Sequence, residues 1–279
     1  MEKVFGCRGM ARPIITLLTD FGLKDSYVAE MKAVILSICP EAALVNLSHQ
    51  VEPFNILEGA YLLARAAPWF PKGTVHLAVI DPGVGGERKP LIVEAEKGLL
   101  VGPDNGLLIP AARRLGGIRK VLAIKASGKL FPERFTETFH GRDIFAPAAA
   151  YLAKGVKPER LGIEVDEYVD AAFPEACLKG GKVSGQIVYV DRFGNLVTNI
   201  DRRLLEALEA KPGSLLKVKA EGRKAFTVKL VKSYSEVEVG SLLALIGSWG
   251  TLELSANQDS ASKILKLKAG QTLSVERQR

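Results

Sequence analysis

The sequence is short of several residues that would make a function easy to assign. It has three cysteines, Cys7, Cys39 and Cys177, far apart and with no CxxC pair, so neither a disulfide framework nor a zinc site is indicated. Its three histidines, His49, His76 and His140, lie in unrelated contexts, and no metal is expected. Aromatic residues make up 7% of the chain, and in the C-terminal third they do not alternate with basic residues as a single-strand nucleic-acid platform requires. No stretch approaches the roughly 20 apolar residues that span a bilayer. The best candidate, 240–252, is interrupted by Gly247 and Gly250. The first residues include Glu2 and Lys3 but no apolar signal-peptide core. These absences predict a soluble protein of the reducing cytoplasm, bound to neither membrane nor nucleic acid.

What is present points to a folded chain. With 279 residues, 47% hydrophobic and 25% charged, it is long enough for one or two domains with substantial cores. The formal charge is +7, from 38 Lys plus Arg against 31 Asp plus Glu. Residues 1–179 carry 22 basic and 21 acidic side chains, while 180–279 carry 16 and 10. The excess belongs to the C-terminal third and reads as a solvated surface on one domain.

Hydrophobic periodicity divides the chain in two. Apolar strands at 14–19, 43–47, 74–80 and 120–124 alternate with helical spacing at 26–38, 56–67, 106–114 and 144–153, which predicts a mostly parallel sheet with helices on both faces. A hairpin is expected where 91–95 and 99–102 flank Glu96-Lys97-Gly98. Beyond an acidic, Pro- and Gly-containing linker at 166–182, short runs read as strands: 184–190, 196–200, 215–219, 225–231, 241–246, 251–254, 264–267 and 272–276. Only 202–210 looks helical. The expectation is an α/β domain over 12–165 and a smaller β-barrel-like domain over 183–279.

In open parallel sheets, ligands collect beyond the carboxyl ends of the strands, and three polar clusters fall there. Thr19-Asp20-Phe21-Gly22 with Asp25 could hold a sugar diol, or Asp20 and Asp25 could cap the next helix. Asp81-Pro82-Gly83-Val84-Gly85-Gly86-Glu87-Arg88 lacks a phosphate-loop order. It is either a loop that lets backbone approach a ligand or a plain turn closed by a surface Asp-Arg pair. Thr138-Phe139-His140-Gly141-Arg142-Asp143 holds the one histidine among polar residues at an element boundary. In the β-rich part, Asp191-Arg192-Phe193-Gly194-Asn195 suits a flat heterocycle or a tight hairpin turn.

Six segments in register resemble the S-adenosyl-L-methionine hydroxide adenosyltransferase family, relatives of the fluorinating and chlorinating 5′-halo-5′-deoxyadenosine synthases. They are ITLLTDFGLKDSYVAEMKAVI, NLSHQVEPFNILEGAYLL, FPKGTVHLAVIDPGVGGERKPL, VGPDNGLL, ETFHGRDIFAP and DRFGNLVTNI. The resemblance implies attack of water on the ribose 5′-carbon of S-adenosyl-L-methionine, giving adenosine and L-methionine without a cofactor. The family's water-activating trio falls on Asp81, Arg88 and His140, with either Asp81 or His140 as base. Halogenating relatives carry Tyr at the positions of Asp81 and His140, and an anionic Asp81 would repel halide. For substrate the resemblance implies Asp20 on the ribose hydroxyls and Asp25 near the methionine end. Phe54 becomes a lining aromatic, and Asp191, Phe193 and Asn195 lie around methionine and adenine. Ser248, Glu253 and Asn257 match a C-terminal motif. The family forms homotrimers with sites between subunits. A halogenase and a non-catalytic S-adenosylmethionine- or adenosine-binding protein are the alternatives.

Overall fold

The computed structural model describes residues 12–126, 130–131, 136–170 and 173–278; Cys7 lies outside them. The chain divides between residues 172 and 173 into two compact units. In the first, β1 (Ile14–Thr19), β2 (Ala43–Ser48), β3 (Thr74–Val79), β4 (Pro90–Ala95), β5 (Gly98–Pro103), β6 (Ile118–Ile124) and β7 (Gly162–Glu164) form one sheet ordered β2-β1-β3-β5-β4-β6-β7. The β2-β1-β3-β5 pairings are parallel, and those across β4, β6 and β7 are antiparallel. The change of direction comes at the hairpin that the sequence places at Glu96-Lys97-Gly98.

Burial follows position in this sheet. Every residue of the central strand β3 is buried, whereas the edge strand β2 exposes Val45 and Asn46, because only an interior strand has both faces covered. Four helices supply that cover: α1 (Tyr27–Ile38), α2 (Ile56–Ala66), α3 (Ile109–Arg114) and α4 (Ala146–Ala153). Helix α1 buries Val28, Met31 and Ile35, the three- and four-residue spacing of one face. Each such side chain stabilises by about 1.5–3 kcal/mol. Met31 and Ile35 join Ile15, Leu17, Leu77 and Phe145 in the main core, alongside the alanines of α4. Small side chains on α4 let it lie close to the sheet. Helices α2 and α3 pack on each other.

The second unit holds β8 (Cys177–Lys179), β9 (Lys182–Val190), β10 (Leu196–Asp201), α5 (Arg202–Ala207), β11 (Leu215–Ala220), β12 (Phe226–Val231), β13 (Leu242–Ile246), β14 (Thr251–Ala256), α6 (Ala261–Leu265) and β15 (Thr272–Arg277). The ring β9-β10-β14-β13-β12-β11-β15 closes back on β9, a seven-stranded barrel with β8 added to β9. The stretch 166–182, read as a linker, thus contributes one barrel-side strand. On β11, Leu216, Val218 and Ala220 point inward while Leu215, Lys217 and Lys219 point out, the two-residue alternation of a barrel wall. The basic excess therefore sits partly on the outer wall, where Lys182 and Lys217 both lie 3.0 Å from Glu276.

One expectation is corrected: 264–267, read as a strand, falls on α6 and the chain that follows it. The Ser260 side chain accepts from Lys263 N at 3.2 Å, so an N-cap three residues upstream decides the segment against its β-branched Ile264. Helix 144–153 begins earlier than its periodicity suggests, because 141–145 form a single π-helical turn that runs into α4.

Candidate active site

The carboxyl ends of β1 and β3 and the start of the π-helical turn hold the polar residues of the first unit. Asp81 leaves β3 through Ile80, and Arg88 returns just before β4. The loop between them folds so that Arg88 Nε donates to both Asp81 oxygens, at 3.0 and 3.1 Å, and Nη2 donates to Oδ2 at 2.5 Å. The side chains of Arg88 and Asp81 are only 10% and 5% exposed. A surface Asp-Arg pair is thereby excluded: this one is desolvated, and losing one partner would leave an uncompensated buried charge. Arg88 also lies 5.3 Å above the Phe145 ring, a favourable cation–π position.

His140 completes the constellation. Its Nδ1 accepts from Arg88 Nη2 at 2.7 Å, so one guanidinium links carboxylate and imidazole. Burial, then the Arg88 charge, holds the imidazole below its ordinary pKa of 6.5, against the opposing pull of Asp81, Glu137 and Asp143. The π-helical turn that follows is anchored by buried Asp143. Its oxygens accept from Thr136 N at 2.7 Å, Thr136 Oγ1 at 3.1 Å and Arg142 Nε at 2.6 Å. Arg142 reaches on to Glu30 of α1 at 2.9 Å. In the sequence Arg142 and Asp143 look like an ordinary charged pair; only the fold shows that they fasten the histidine's turn to a helix more than a hundred residues away.

The capping reading of the first cluster does not hold. Neither Asp20 nor Asp25 caps α1, whose N-cap is Ser26 without a side-chain cap bond. Asp20 Oδ2 accepts from Phe54 N at 2.8 Å, and Oδ1 has no hydrogen-bond partner among the described residues. That bond holds Phe54 at φ +67° with its ring 70% exposed. A left-handed aromatic residue is uncommon and costs about 1–3 kcal/mol. Asp25 is exposed in the loop before α1. His49, not singled out by sequence, lies beside this cluster: its Nδ1 is 2.9 Å from Thr19 Oγ1 and its carbonyl accepts from Gly22 N at 2.7 Å.

In the barrel unit, Asp191 organises the β9–β10 turn. Oδ1 accepts from Phe193 N and Asn195 N, both at 2.9 Å, and Oδ2 accepts from Asn195 Nδ2 at 2.9 Å. The hairpin reading holds, and the turn displays Phe193, 76% exposed, at the wall of a cavity of about 620 Å³. Asp191, Asn195, Tyr234, Asn257 and Asp259 also line it. Asn257 is fixed by donation from Nδ2 to Val237 O at 2.8 Å. Glu253 is buried on β14 and Ser248 lies in the preceding turn; neither is in the cavity wall. Nothing in the local spacing of Tyr234 brings it to the Asp191 turn, and Asp259, where the sequence departs from the small residues usual at the end of the C-terminal motif, lines the cavity too. Among the described residues no group of three His, Cys, Asp or Glu is placed to hold a metal ion, and no helix is long and apolar enough to cross a membrane.

An α/β unit with a buried carboxylate–guanidinium–imidazole chain at its strand ends, and a barrel unit with an acid- and amide-lined cavity, define a small-molecule enzyme. The chain belongs to the SAM hydroxide adenosyltransferase family: the N-terminal domain of that family matches residues 15–162 and its C-terminal domain matches 185–274. It is 39% identical to the (R)-S-adenosyl-L-methionine hydrolase of Methanocaldococcus jannaschii, over 91% of this chain and 92% of that one. Identity to a fluorinase of Nocardia brasiliensis is 30%, over 95% and 97%. The crystal structure of an uncharacterised conserved protein from Thermotoga maritima superposes with a TM-score of 0.89 at 38% identity, covering 94% of this chain and all of that one.

Proposed function

We propose that this protein hydrolyses S-adenosyl-L-methionine by attack of water on the ribose 5′-carbon, releasing adenosine and L-methionine, and that the (R) sulfonium epimer is its substrate. The observation that carries the reading is the buried chain from Asp81 through Arg88 to His140. In the reaction the water oxygen bonds to C5′ while the C5′–sulfur bond breaks and its electron pair goes to sulfur. Methionine leaves as a neutral thioether, so no acid is needed to protonate it. What the site supplies is a held, polarised water.

The hydrogen bonds support one set of roles. With Arg88 donating into His140 Nδ1, that nitrogen's lone pair is occupied, and Asp81 is the base that takes the water's proton. Arg88 stabilises the developing hydroxide, and His140 keeps the guanidinium aimed. Asp20, with Oδ1 uncommitted, takes the ribose hydroxyls. In the barrel cavity, Phe193 offers a ring face for adenine and Asn195 and Asn257 offer amide edges, while Asp191 and Asp259 favour a cationic ligand.

The same reading takes Asp25 and Phe54 as lining residues and Ser248 and Glu253 as supports of the barrel part of the site. It places the enzyme as a homotrimer in the reducing cytoplasm, each Asp81 completed by a neighbour's Asp191 turn, without a resident cofactor or a nucleic-acid partner. The test is incubation with each resolved sulfonium epimer in ¹⁸O-water, with and without fluoride or chloride, and mass analysis of products. Adenosine carrying ¹⁸O, formed faster from the (R) epimer, is expected. Halogenated adenosine as main product, or binding without turnover, would overturn the assignment.

A further inference from the structure

The tautomer of His140 is dictated by its neighbour. A guanidinium has donors only, so the 2.7 Å contact from Arg88 Nη2 requires an unprotonated Nδ1. The neutral ring then carries its proton on Nε2. That nitrogen is buried and has no hydrogen-bond partner among the described residues, a condition that costs about 1–3 kcal/mol. The Glu137 carboxylate stands close by: its Oε2 is 3.8 Å from Nε2, and its side chain is 77% exposed and so able to rotate inward.

The backbone of Glu137, in contrast, is held on both sides. Its carbonyl oxygen lies 2.5 Å from where a Cβ on Gly85 would stand, and Gly85 has φ +77°, so the loop carrying Asp81 and Arg88 passes flush against it only because residue 85 is glycine. The preceding Thr136 is tied to buried Asp143 through both its N–H and its hydroxyl. A mobile carboxylate on a fixed Cα, beside an unsatisfied N–H, is arranged to close by about one ångström.

We propose that Glu137 is a positioning residue of the reaction: it accepts the Nε2 proton of His140 in a hydrogen bond, fixes the tautomer whose Nδ1 receives Arg88, and so keeps Arg88 directed at the reacting water. The effect runs from Glu137 through His140 to Arg88, and Glu137 touches no substrate. The charged groups facing the imidazole are Arg88, Asp81, Glu137 and Asp143. When the ring is protonated, Nδ1 becomes a donor and Arg88 is released.

The kinetic half of the test rests on the hydrolase reading; the spectroscopic half does not. Histidine-¹⁵N NMR on the intact protein reports which ring nitrogen of His140 carries the proton. The Nε2–H form is expected in the parent and in Glu137→Gln, whose amide oxygen still accepts, and a mixture in Glu137→Ala. In parallel, Glu137→Ala should lower kcat about tenfold at unchanged KM, Glu137→Gln should restore most of it, and both should move the acid limb of the pH profile to lower pH. An Nδ1–H tautomer in the parent, an Ala variant with unchanged tautomer, or a shifted tautomer with unchanged kcat would each overturn the proposal. An unchanged melting temperature in the Gln variant separates positioning from folding, and if the parent shows no turnover the tautomer result stands by itself.

Discussion

Acid should weaken the first unit through its buried histidines. His49 and His76 are 4% and 1% exposed, and burial lowers each to about 4 from 6.5. Each Nδ1 lies 2.9 Å from a threonine hydroxyl, Thr19 and Thr16 respectively, while Nε2 of His49 is buried without a hydrogen-bond partner among the described residues. A folded-state pKa below the unfolded value means that stability is complete above about pH 6.5 and is lost as pH falls toward 4, because only the unfolded chain takes up the protons. At about pH 5 each site is roughly 1.5 units into that window, worth about 2 kcal/mol per histidine at about 1.4 kcal/mol per unit. The pair together removes about 4 kcal/mol, a large part of a typical domain's 5–15 kcal/mol, and His140 adds in the same direction. Asp143 and Glu30, held below their ordinary values of 3.8 and 4.5, lose their contribution mainly below about pH 5, whereas burial raises Glu58, which opposes the histidines. Urea unfolding followed by circular dichroism at several pH values measures this. His76→Gln should reduce the slope by about 1.4 kcal/mol per pH unit. Stability that stays flat from about pH 6.5 to 5, or a slope untouched by that substitution, would refute the reasoning.

Other perturbations have equally direct outcomes. Asp81→Asn removes the proposed base and one partner of a buried ion pair, so kcat should fall by about 10²–10⁴, read in a product assay together with a melting curve. Gly85→Ala forces a Cβ to 2.5 Å from the Glu137 carbonyl at φ +77°; a loss of about 1–3 kcal/mol in stability should accompany reduced kcat. Phe193→Ala removes an exposed ring and leaves the Asp191 turn intact, so KM should rise about tenfold or more for a lost base stack of about 1–3 kcal/mol, with melting temperature unchanged.

Much of this molecule is legible in its sequence, for physical reasons that differ by region. The strand–helix alternation of the first unit shows because a buried parallel strand must be apolar throughout, as β3 is. The hairpin at Glu96-Lys97-Gly98 shows because a tight connection has its own residue chemistry. The trio Asp81, Arg88 and His140 was reached through six family segments; their spacing of 7 and 52 residues says nothing about proximity. What stayed hidden depends on long-range closure. Tyr234 comes to the Asp191 turn through the barrel. Ile264 is helical because Ser260 caps it. Arg142 and Asp143 owe their role to Glu30, far away in the chain.

Two separate hydrophobic cores carry the two sets of polar residues. Asp81, Arg88 and His140 rest on the first, and Asp191, Phe193 and Asn195 on the second. Substitutions that change which nucleophile is activated therefore draw on the stability reserve of one unit, and those that change which ring system is stacked draw on the other. Each core thus bears the folding cost of changes to its own polar set, the one to chemistry and the other to recognition.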